Sequence, residues 1–288
     1  MYPDLHRHLD GSLRPSTVEA LSGAPMPDRY RFHAGMGLAA ALRCFEFTLS
    51  LMQSLDAVRR VAAEACEDAA AEGVTTLELR FAPQLHGHPV PEVIDAALDG
   101  IAGRAGLLLC GLFGEAPSVL EALVDVGASR PGVVGIDVAG GPSPAHRFAL
   151  VDYAGACRRA RRLGLGLTVH AGEGRPPAEI FTAIDLLGAQ RVGHGTTILD
   201  DEHVVDLAIR RGVTLEACPT SNVHTGVVAS VDAHPLKAWL RRGLRACVNT
   251  DNTLLSNVTS PEELRRCALS DNELAAVLAH GHAAAFRR

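Results

Sequence analysis

Residues 165–173 read LGLTVHAGE, and this stretch carries the pattern that decides the fold. A short, almost continuous apolar run is typical of a strand buried on both faces of a parallel sheet. The run ends in His170, and Glu173 follows three residues later. The stretch therefore predicts a buried parallel strand with ionisable side chains at its carboxyl end.

The same pattern recurs from one end of the chain to the other. Strand-like runs occur at 4–9, 75–82, 106–113, 133–138, 165–170, 191–193, 214–218 and 245–249. Segments with helical periodicity lie between most of them, at 56–71, 117–126, 144–163, 177–187, 201–211 and 234–242, and closing helices are expected at 263–264 and 272–286. Eight short strands that alternate with helices predict an α/β fold, a (β/α)8 TIM barrel.

An open doubly wound sheet is the alternative architecture. It needs a glycine-rich phosphate-binding turn after its first strand, but here His8 is followed by Leu-Asp-Gly-Ser. The chain has 288 residues, and a barrel of about 250 residues commonly forms one unit. We therefore predict a single domain over residues 1–288. The connection 15–52 is long, and we expect it to form a lid or pocket wall after strand 1.

Composition excludes several other functional classes. The net charge is −6 and no basic run is present, so we expect no binding of nucleic acid. No apolar stretch approaches the ~18 residues of a membrane helix. The seven cysteines are scattered and form no C-x-x-C pair, which fits a reducing cytosol. His6 and His8 lie too close to Met1 for a cleaved signal of about 15–30 residues, so we expect a cytoplasmic protein with a small-molecule partner.

His6 and His8 lie on the first predicted strand, two residues apart. Side chains at this spacing face the same side of a strand, so both imidazoles can point to the barrel mouth. Most H-x-H pairs are ordinary surface or core histidines, but here His170 and Asp251 also end strand-like runs. The carboxyl ends of barrel strands meet at one mouth, where active sites form. Three histidines and one aspartate at that mouth suit zinc, and iron or manganese would also fit.

Two further residues fit hydrolytic chemistry at such a metal, which lowers the pKa of its water from ~16 toward ~7. A carboxyl group at Glu173 can be held protonated by an apolar pocket and donate to a ring nitrogen. His194 lies between two glycines after the sixth strand and can orient the water or take its proton. The ordinary alternatives are a loop carboxylate and a turn histidine, and the alignment of both residues with strand ends favours the catalytic interpretation.

The remaining histidines are assigned to structure or surface: His33, His86, His88, His146, His203, His224, His234, His280 and His282. The Cys218-Pro219 pair is interpreted as strand-end packing and not as a thiolate ligand.

The ordered motifs resemble the adenosine deaminase family of the amidohydrolase superfamily, its adenosine/AMP deaminase branch. The resemblance covers nearly the whole chain, through LHRHLDGSLRPSTV, AAEGVTTLELRFAP, VVGIDVAGGP, TVHAGE, RVGHGT, CPTSNVHTG and HPLKAWLRRGLRACVNTDN. It implies an amidohydrolase-type barrel that deaminates a 6-aminopurine to the 6-oxo, inosine-type product and ammonia. The zinc-dependent cytidine-type deaminases are a different class, because their H-x-E and P-C-x-x-C signature is absent.

The resemblance also implies roles for individual residues. One zinc ion per chain would be bound by His6, His8, His170 and Asp251. Glu173 would protonate purine N1, while His194 and Asp251 would position and deprotonate the attacking water. Substrate contacts are expected from His8, Asp10, Gly140 and Asn252, with the Gly140 backbone near purine N3 and Asp10 near the ribose hydroxyls.

The chain departs from the family pattern around the substrate. Asn252 stands where a second aspartate is usual, and its amide can donate to purine N7 without having to hold a proton. A polar residue is lost at Gly141-Pro142, Phe113-Gly114 replaces an Arg-His pair, and Ala41 stands where a large residue is common in the 37–52 segment. These changes keep two enzymatic hypotheses open, namely a deaminase of adenosine or a close analogue and a deaminase of another aminopurine, such as adenine or a modified nucleoside. A non-catalytic binding protein is the third hypothesis, and the retained proton donor argues against it.

Overall fold

The structure is a computed structural model that describes residues 1–143 and 145–286. Within them, eight parallel strands form one sheet in sequence order, each paired with the next. The strands are β1 Tyr2–His8, β2 Val74–Phe81, β3 Gly106–Leu112, β4 Val133–Ala139, β5 Gly166–Ala171, β6 Arg191–His194, β7 Thr214–Ala217 and β8 Arg245–Val248. The sheet curls into a barrel because the segment after β8 returns to β1, where Asp251 N–H donates to the His6 carbonyl and His8 N–H donates to the Asp251 carbonyl.

Helices surround the barrel and cover the outer faces of its strands. The α-helices are α1 Pro15–Ser22, α2 Leu38–Leu51, α3 Leu55–Ala71, α4 Val90–Ile101, α5 Pro117–Ala128, α6 Ala154–Arg162, α7 Pro177–Phe181, α8 Glu202–Arg211, α9 Pro219–His224, α10 Leu236–Arg241, α11 Ser260–Arg266 and α12 Asp271–Ala284. A π-helical segment, Thr182–Leu187, continues α7. In the described part of the chain, no helix combines the length and the apolar character that a membrane crossing needs.

The predicted (β/α)8 barrel is confirmed, and each predicted strand agrees with the observed one to within two residues at either end. The predicted helix 144–163 is wrong over its first half. A tight 3-10 turn, Leu150–Tyr153, precedes α6, and the Asp152 carboxylate fixes it by accepting from Ala149 N–H at 2.8 Å. Pro144 lies outside the described residues. Helix α4 was not predicted, although its one buried face has regular helical spacing.

Charged residues fill much of the barrel interior, and Phe286 closes its amino-terminal end. A Cβ built on Gly166 would lie 2.2 Å from Phe286 Cγ, so only glycine leaves room for this ring. The Arg191 guanidinium carbon lies 3.7 Å from the ring centroid, and Phe286 N–H donates to Glu78 Oε1 at 2.5 Å. Glu78 also pairs with Arg191 at 2.5 Å. Phe286 therefore covers a buried ion pair at the amino-terminal end of the barrel.

Candidate active site

The four predicted metal ligands meet at the carboxyl ends of the strands. His8 Nε2 lies 3.3 Å from His170 Nε2, and Asp251 Oδ1 lies 3.5 Å from the Nε2 atoms of both His6 and His8. His6 and His8 lie on β1, and His170 lies on β5. Asp251 follows β8 and forms an isolated parallel bridge with Arg7 of β1. The barrel topology thus brings together residues from both ends of the chain.

The spacing of these atoms fits one metal ion of zinc-like size. Two ligands about 2.0–2.1 Å from an ion at a tetrahedral angle are roughly 3.4 Å apart, which matches the separations of 3.3 and 3.5 Å. Among the described residues, His6 Nε2 is buried without a hydrogen-bond partner. A buried nitrogen lone pair is costly unless something binds it. The donor set, three imidazoles and a carboxylate, is one that zinc prefers.

Buried carboxylates behind the histidines fix their tautomers. His6 Nδ1 lies 2.7 Å from Glu216 Oε2, and His170 Nδ1 lies 2.9 Å from Asp137 Oδ2. A proton on each Nδ1 leaves the opposite nitrogen free to bind a metal. Arg80 joins the two carboxylates, since its guanidinium lies 2.8 Å from Asp137 and 2.9 Å from Glu216. Sequence reasoning missed this layer, although each member is a charged residue inside an apolar strand.

The charges around Asp137 and Glu216 keep both groups ionised. Burial alone would raise the pKa of Asp137, but His170 and Arg80 outweigh it and hold that pKa well below its usual range. Burial likewise opposes ionisation of Glu216, whose pKa is nevertheless lowered by Arg80 and Arg191. Both carboxylates therefore remain hydrogen-bond acceptors for the histidines at neutral pH.

Two residues of the site have left-handed backbone conformations. His194 has φ = 65° and Asp251 has φ = 61°. Such conformations are uncommon outside glycine and typically cost about 1–3 kcal/mol each, and they concentrate at functional sites. The turn at His194 has no room for a larger neighbour, since a Cβ on Gly193 would lie 3.0 Å from His6 Cε1. The G-H-G motif therefore gives the chain a sharp turn beside the metal ligands.

Asn222 connects the two predicted catalytic residues, and sequence reasoning did not single it out. Its Nδ2 donates to Glu173 Oε1 at 3.2 Å and lies 3.1 Å from His194 Nδ1. On its other side, Asn222 Oδ1 lies 3.2 Å from His234 Nε2, while His234 Nδ1 accepts from Leu236 N–H at 3.1 Å. His234 is buried, in agreement with its assignment to structure.

These contacts determine which nitrogen of His194 carries a proton. Because a backbone N–H donates to His234 Nδ1, the proton of neutral His234 is on Nε2 and faces the Asn222 oxygen. The Asn222 amine group then faces His194 Nδ1, which accepts, so neutral His194 carries its proton on Nε2. Burial lowers the pKa of His194 to about 4 and that of His234 to about 3, so both rings are neutral at pH 7.

A cavity of about 710 Å³ opens above the metal ligands. The predicted site residues that line it are His8, Asp10, Gly140, His170, Glu173, His194, Asp251 and Asn252, and His6 lies close by as part of the metal-ligand cluster. Burial raises the pKa of Asp10 to about 7. Among the described atoms, Asp10 Oδ1 and Asn252 Oδ1 are buried without a partner. Asn252 Oδ1 packs against Gly11, where a Cβ would lie 2.1 Å from it.

The connection 15–52 contributes the opposite wall of the cavity. Its lining residues are Phe32, Leu38, Ala39, Ala41, Leu42, Phe45, Glu46 and Leu49, most of them from α2. The small Ala41, which departs from the family pattern, is buried in this wall. The role of this segment as a lid or pocket wall stays a prediction.

Comparison with known proteins agrees with this geometry. The family described as Adenosine deaminase matches residues 3–274. An adenosine deaminase from Erwinia tasmaniensis is 37% identical, with 90% of this chain and 85% of that protein covered. An amidohydrolase from Burkholderia ambifaria, solved with bound Zn, has a TM-score of 0.89 at 26% identity. The match includes 100% of this chain and 86% of that one. The Arabidopsis N6-mAMP deaminase shares the fold, with a TM-score of 0.86 at 24% identity over 100% of this chain and 93% of that one.

Proposed function

The chain belongs to the adenosine deaminase family and is a hydrolytic deaminase, and from this premise we propose that it converts adenosine or a related 6-aminopurine nucleoside to the 6-oxo product and ammonia. The observation that carries the proposal is the placement of Glu173 and His194 beside the metal ligands in one cavity. The relatives support it, since the Erwinia protein and the Arabidopsis protein are both named as deaminases of adenine-containing compounds. A binding protein would not need a proton donor at this position.

We propose that His6, His8, His170 and Asp251 hold one zinc ion. The zinc bound to the Burkholderia neighbour and the spacing of the four side chains support this assignment. When bound, the ion supplies a nucleophile at neutral pH, because it lowers the pKa of water toward ~7.

We also propose a cytoplasmic location. The seven cysteines of the described chain are buried and unpaired, which fits a reducing compartment.

His194 and Asp251 act on the attacking water. The tautomer set by Asn222 leaves a proton on His194 Nε2, so this nitrogen donates a hydrogen bond to the water oxygen and aims it. The Asp251 carboxylate, whose pKa is held well below its usual range by the neighbouring histidines despite its burial, accepts the proton that the water loses. Water oxygen then bonds to C6 of the purine.

Glu173 supplies the proton that makes C6 electrophilic. Its Oε1 accepts from Asn222 Nδ2 at 3.2 Å and from Thr225 Oγ1 at 3.0 Å, so Oε2 is the oxygen left to carry a proton. Transfer of that proton to purine N1 removes electron density from C6 as water adds. The amino nitrogen takes up the proton that Asp251 received from the water, the bond from C6 to that nitrogen breaks, and ammonia leaves. As the 6-oxo group forms, the proton of the C6 hydroxyl returns to the Glu173 carboxylate and restores the acid.

The lining of the cavity supports the proposed substrate contacts. Gly140, at the end of β4, exposes its backbone to the cavity, and Asp10 and His8 lie at the end of β1. We assign the Gly140 backbone to purine N3, Asp10 to the sugar hydroxyls and the Asn252 amide to N7. Deamination of another aminopurine is the second candidate, favoured by the apolar wall of the same cavity.

Replacement of Glu173 by glutamine tests the mechanism, because Glu173→Gln keeps the shape of the side chain but removes the acid. Loss of one general acid typically lowers the rate ~10²–10⁴-fold. We expect such a loss in ammonia release from adenosine, with metal content unchanged. Glu202→Gln, an exposed change on α8, is the matched control. Wild-type turnover by Glu173→Gln would refute the assignment of the proton donor.

A further inference from the structure

The cavity has two chemically different sides. Most of its ionisable groups lie at the ends of β1, β5, β6 and β8, beside the metal ligands, whereas Glu46 of α2 and His146 lie on the other side. The other side is formed by α2 and by the segments after β2 and β3, and large apolar side chains dominate it: Leu38, Leu42, Leu49, Leu85, Leu112 and Phe113. Among the described residues that line the cavity, none is lysine or arginine.

The orientation of a bound purine follows from the proposed chemistry. C6 must lie at the metal ligands and N1 beside Glu173. N9, which carries the sugar, is at the opposite end of the ring system from C6. The sugar therefore extends away from the metal ligands, and we place its hydroxyls beside Asp10 and its 5′ carbon against the apolar wall.

A phosphate group at that end would find no cationic partner within the cavity. Burial of an unpaired charge among apolar side chains is strongly unfavourable. Arg175 packs near this wall, 5.4 Å from the Phe113 ring, and its Nε pairs with Glu179 at 2.7 Å. Among the described atoms its Nη1 is buried without a hydrogen-bond partner, but Arg175 does not line the cavity and Glu179 balances its charge. His146 also faces this side, and its Nδ1 already accepts from Ser143 N–H at 3.2 Å. An apolar group, in contrast, would be buried favourably against the leucines.

We propose that the preferred substrate is a 6-aminopurine nucleoside with an apolar substituent on the 5′ carbon of the sugar, and not a nucleoside 5′-phosphate. This inference rests on the proposed function, since it assumes that C6 is the reacting atom. It separates this chain from the Arabidopsis neighbour, which is named as a deaminase of a nucleoside monophosphate.

Rates of ammonia release from three compounds test the proposal: adenosine, AMP and 5′-deoxy-5′-methylthioadenosine. One extra carbon-sized group in an apolar pocket typically changes kcat/KM by about 10- to 200-fold. We therefore expect the methylthio compound to exceed adenosine by about tenfold or more, and AMP to fall below adenosine. If adenosine equals the methylthio compound, or if AMP equals adenosine, the inference is wrong while the proposed deaminase function stands. Turnover of none of the three would refute the proposed function itself, and the inference with it.

A charge placed on the apolar wall gives a second test with opposite effects on two substrates. Leu85 lines the cavity and is 40% exposed, so Leu85→Lys can keep its charge in solvent and leave the fold intact. We expect the ratio of AMP to methylthio turnover to rise about fivefold or more. Leu186→Lys, at a leucine with 45% exposure outside the cavity lining, should leave the ratio unchanged. An unchanged ratio in Leu85→Lys would show that the 5′ end does not reach this wall.

Discussion

Replacement of Glu216 by glutamine should weaken metal binding although Glu216 is not a predicted ligand. Its two oxygens face different donors. Oε2 lies 2.7 Å from His6 Nδ1 and 2.9 Å from Arg80 Nη2, while Oε1 lies 3.0 Å from Thr168 Oγ1 and 2.7 Å from Arg191 Nε. In Glu216→Gln one oxygen becomes an amine group. An amide nitrogen in the place of Oε2 would face the donors of His6 and Arg80, and one in the place of Oε1 would face the Arg191 donor, so either orientation loses a charged hydrogen bond.

The size of the effect follows from these contacts. Loss of a carboxylate behind a metal-bound histidine typically lowers metal affinity 10- to 100-fold, or about 1.4–2.7 kcal/mol. Removal of one partner from a buried charge network destabilises a protein by about 3–5 kcal/mol. Both effects are expected here, because His6, Arg80 and Arg191 all lose a charged partner within the buried interior.

Glu78→Gln is the matched control for the loss of stability. Glu78 is also buried and also pairs with Arg191, at 2.5 Å, but it contacts none of the metal ligands. Urea unfolding of the metal-free proteins should show comparable losses in both variants. Competition with a chromophoric chelator should show weaker zinc binding in Glu216→Gln, with Glu78→Gln within about twofold of wild type.

Two results would refute this reasoning. Equal loss of zinc affinity in both variants would mean that general destabilisation, and not the bond to His6, controls binding. Wild-type zinc affinity in Glu216→Gln would mean that the Glu216 carboxylate does not set the tautomer of His6.

Three further changes have defined outcomes. Asn222→Leu should lower kcat about 100-fold at unchanged metal content, because misplacement of catalytic groups by about 1 Å has such an effect; wild-type kcat would exclude a positioning role. If the Asn252 amide donates to purine N7, the transition state of 7-deazaadenosine should be about 1–3 kcal/mol less stabilised than that of adenosine. Asn252→Ala should abolish this difference between the two substrates. A difference that persists in Asn252→Ala would show that Asn252 does not contact N7. Glu263 accepts from Thr220 N–H at 2.6 Å, and burial raises the pKa of its carboxyl from 4.5 to about 7. Between these two pH values the folded protein holds a proton that the unfolded chain has lost, so stability falls as pH rises, by about 3 kcal/mol. Glu263→Gln mimics the protonated acid and should remove that part of the slope, which urea unfolding at pH 5 and pH 8 would measure; an unaltered slope would contradict the raised pKa.

The fold was predictable because each strand is an apolar run that ends abruptly. LLLCGLF and VVGIDV are buried over most or all of their length, as parallel strands are when helices cover them. The start of α6 was not predictable in the same way. It depends on a turn that the Asp152 side chain fixes, and periodicity does not register a single hydrogen bond.

Site residues that follow the ends of strands were predictable from the sequence. Residues that contribute by hydrogen bonding to other site residues were not predicted. His6, His170 and Asp251 were found from their positions in the barrel pattern. Glu216 and Asn222 were not, since their importance comes from partners more than twenty residues away in sequence, such as His6 and His194. A charged residue in the middle of an apolar strand, as in TLEA or VTTLELRF, is the signal that could have revealed the buried layer.

The closure of the barrel by Asp251 against β1 has a consequence for the order of events during translation. His6 and His8 leave the ribosome before Asp251, which follows them by more than 240 residues. At synthesis rates of about 5–20 residues per second, the two histidines wait roughly ten to fifty seconds for their last partner. Two imidazoles alone do not favour zinc over copper or nickel, because divalent ions bind such ligands in a general order of affinity in which copper is highest. The complete ligand set, and with it the geometry that can select an ion, therefore exists only after Asp251 has docked against β1.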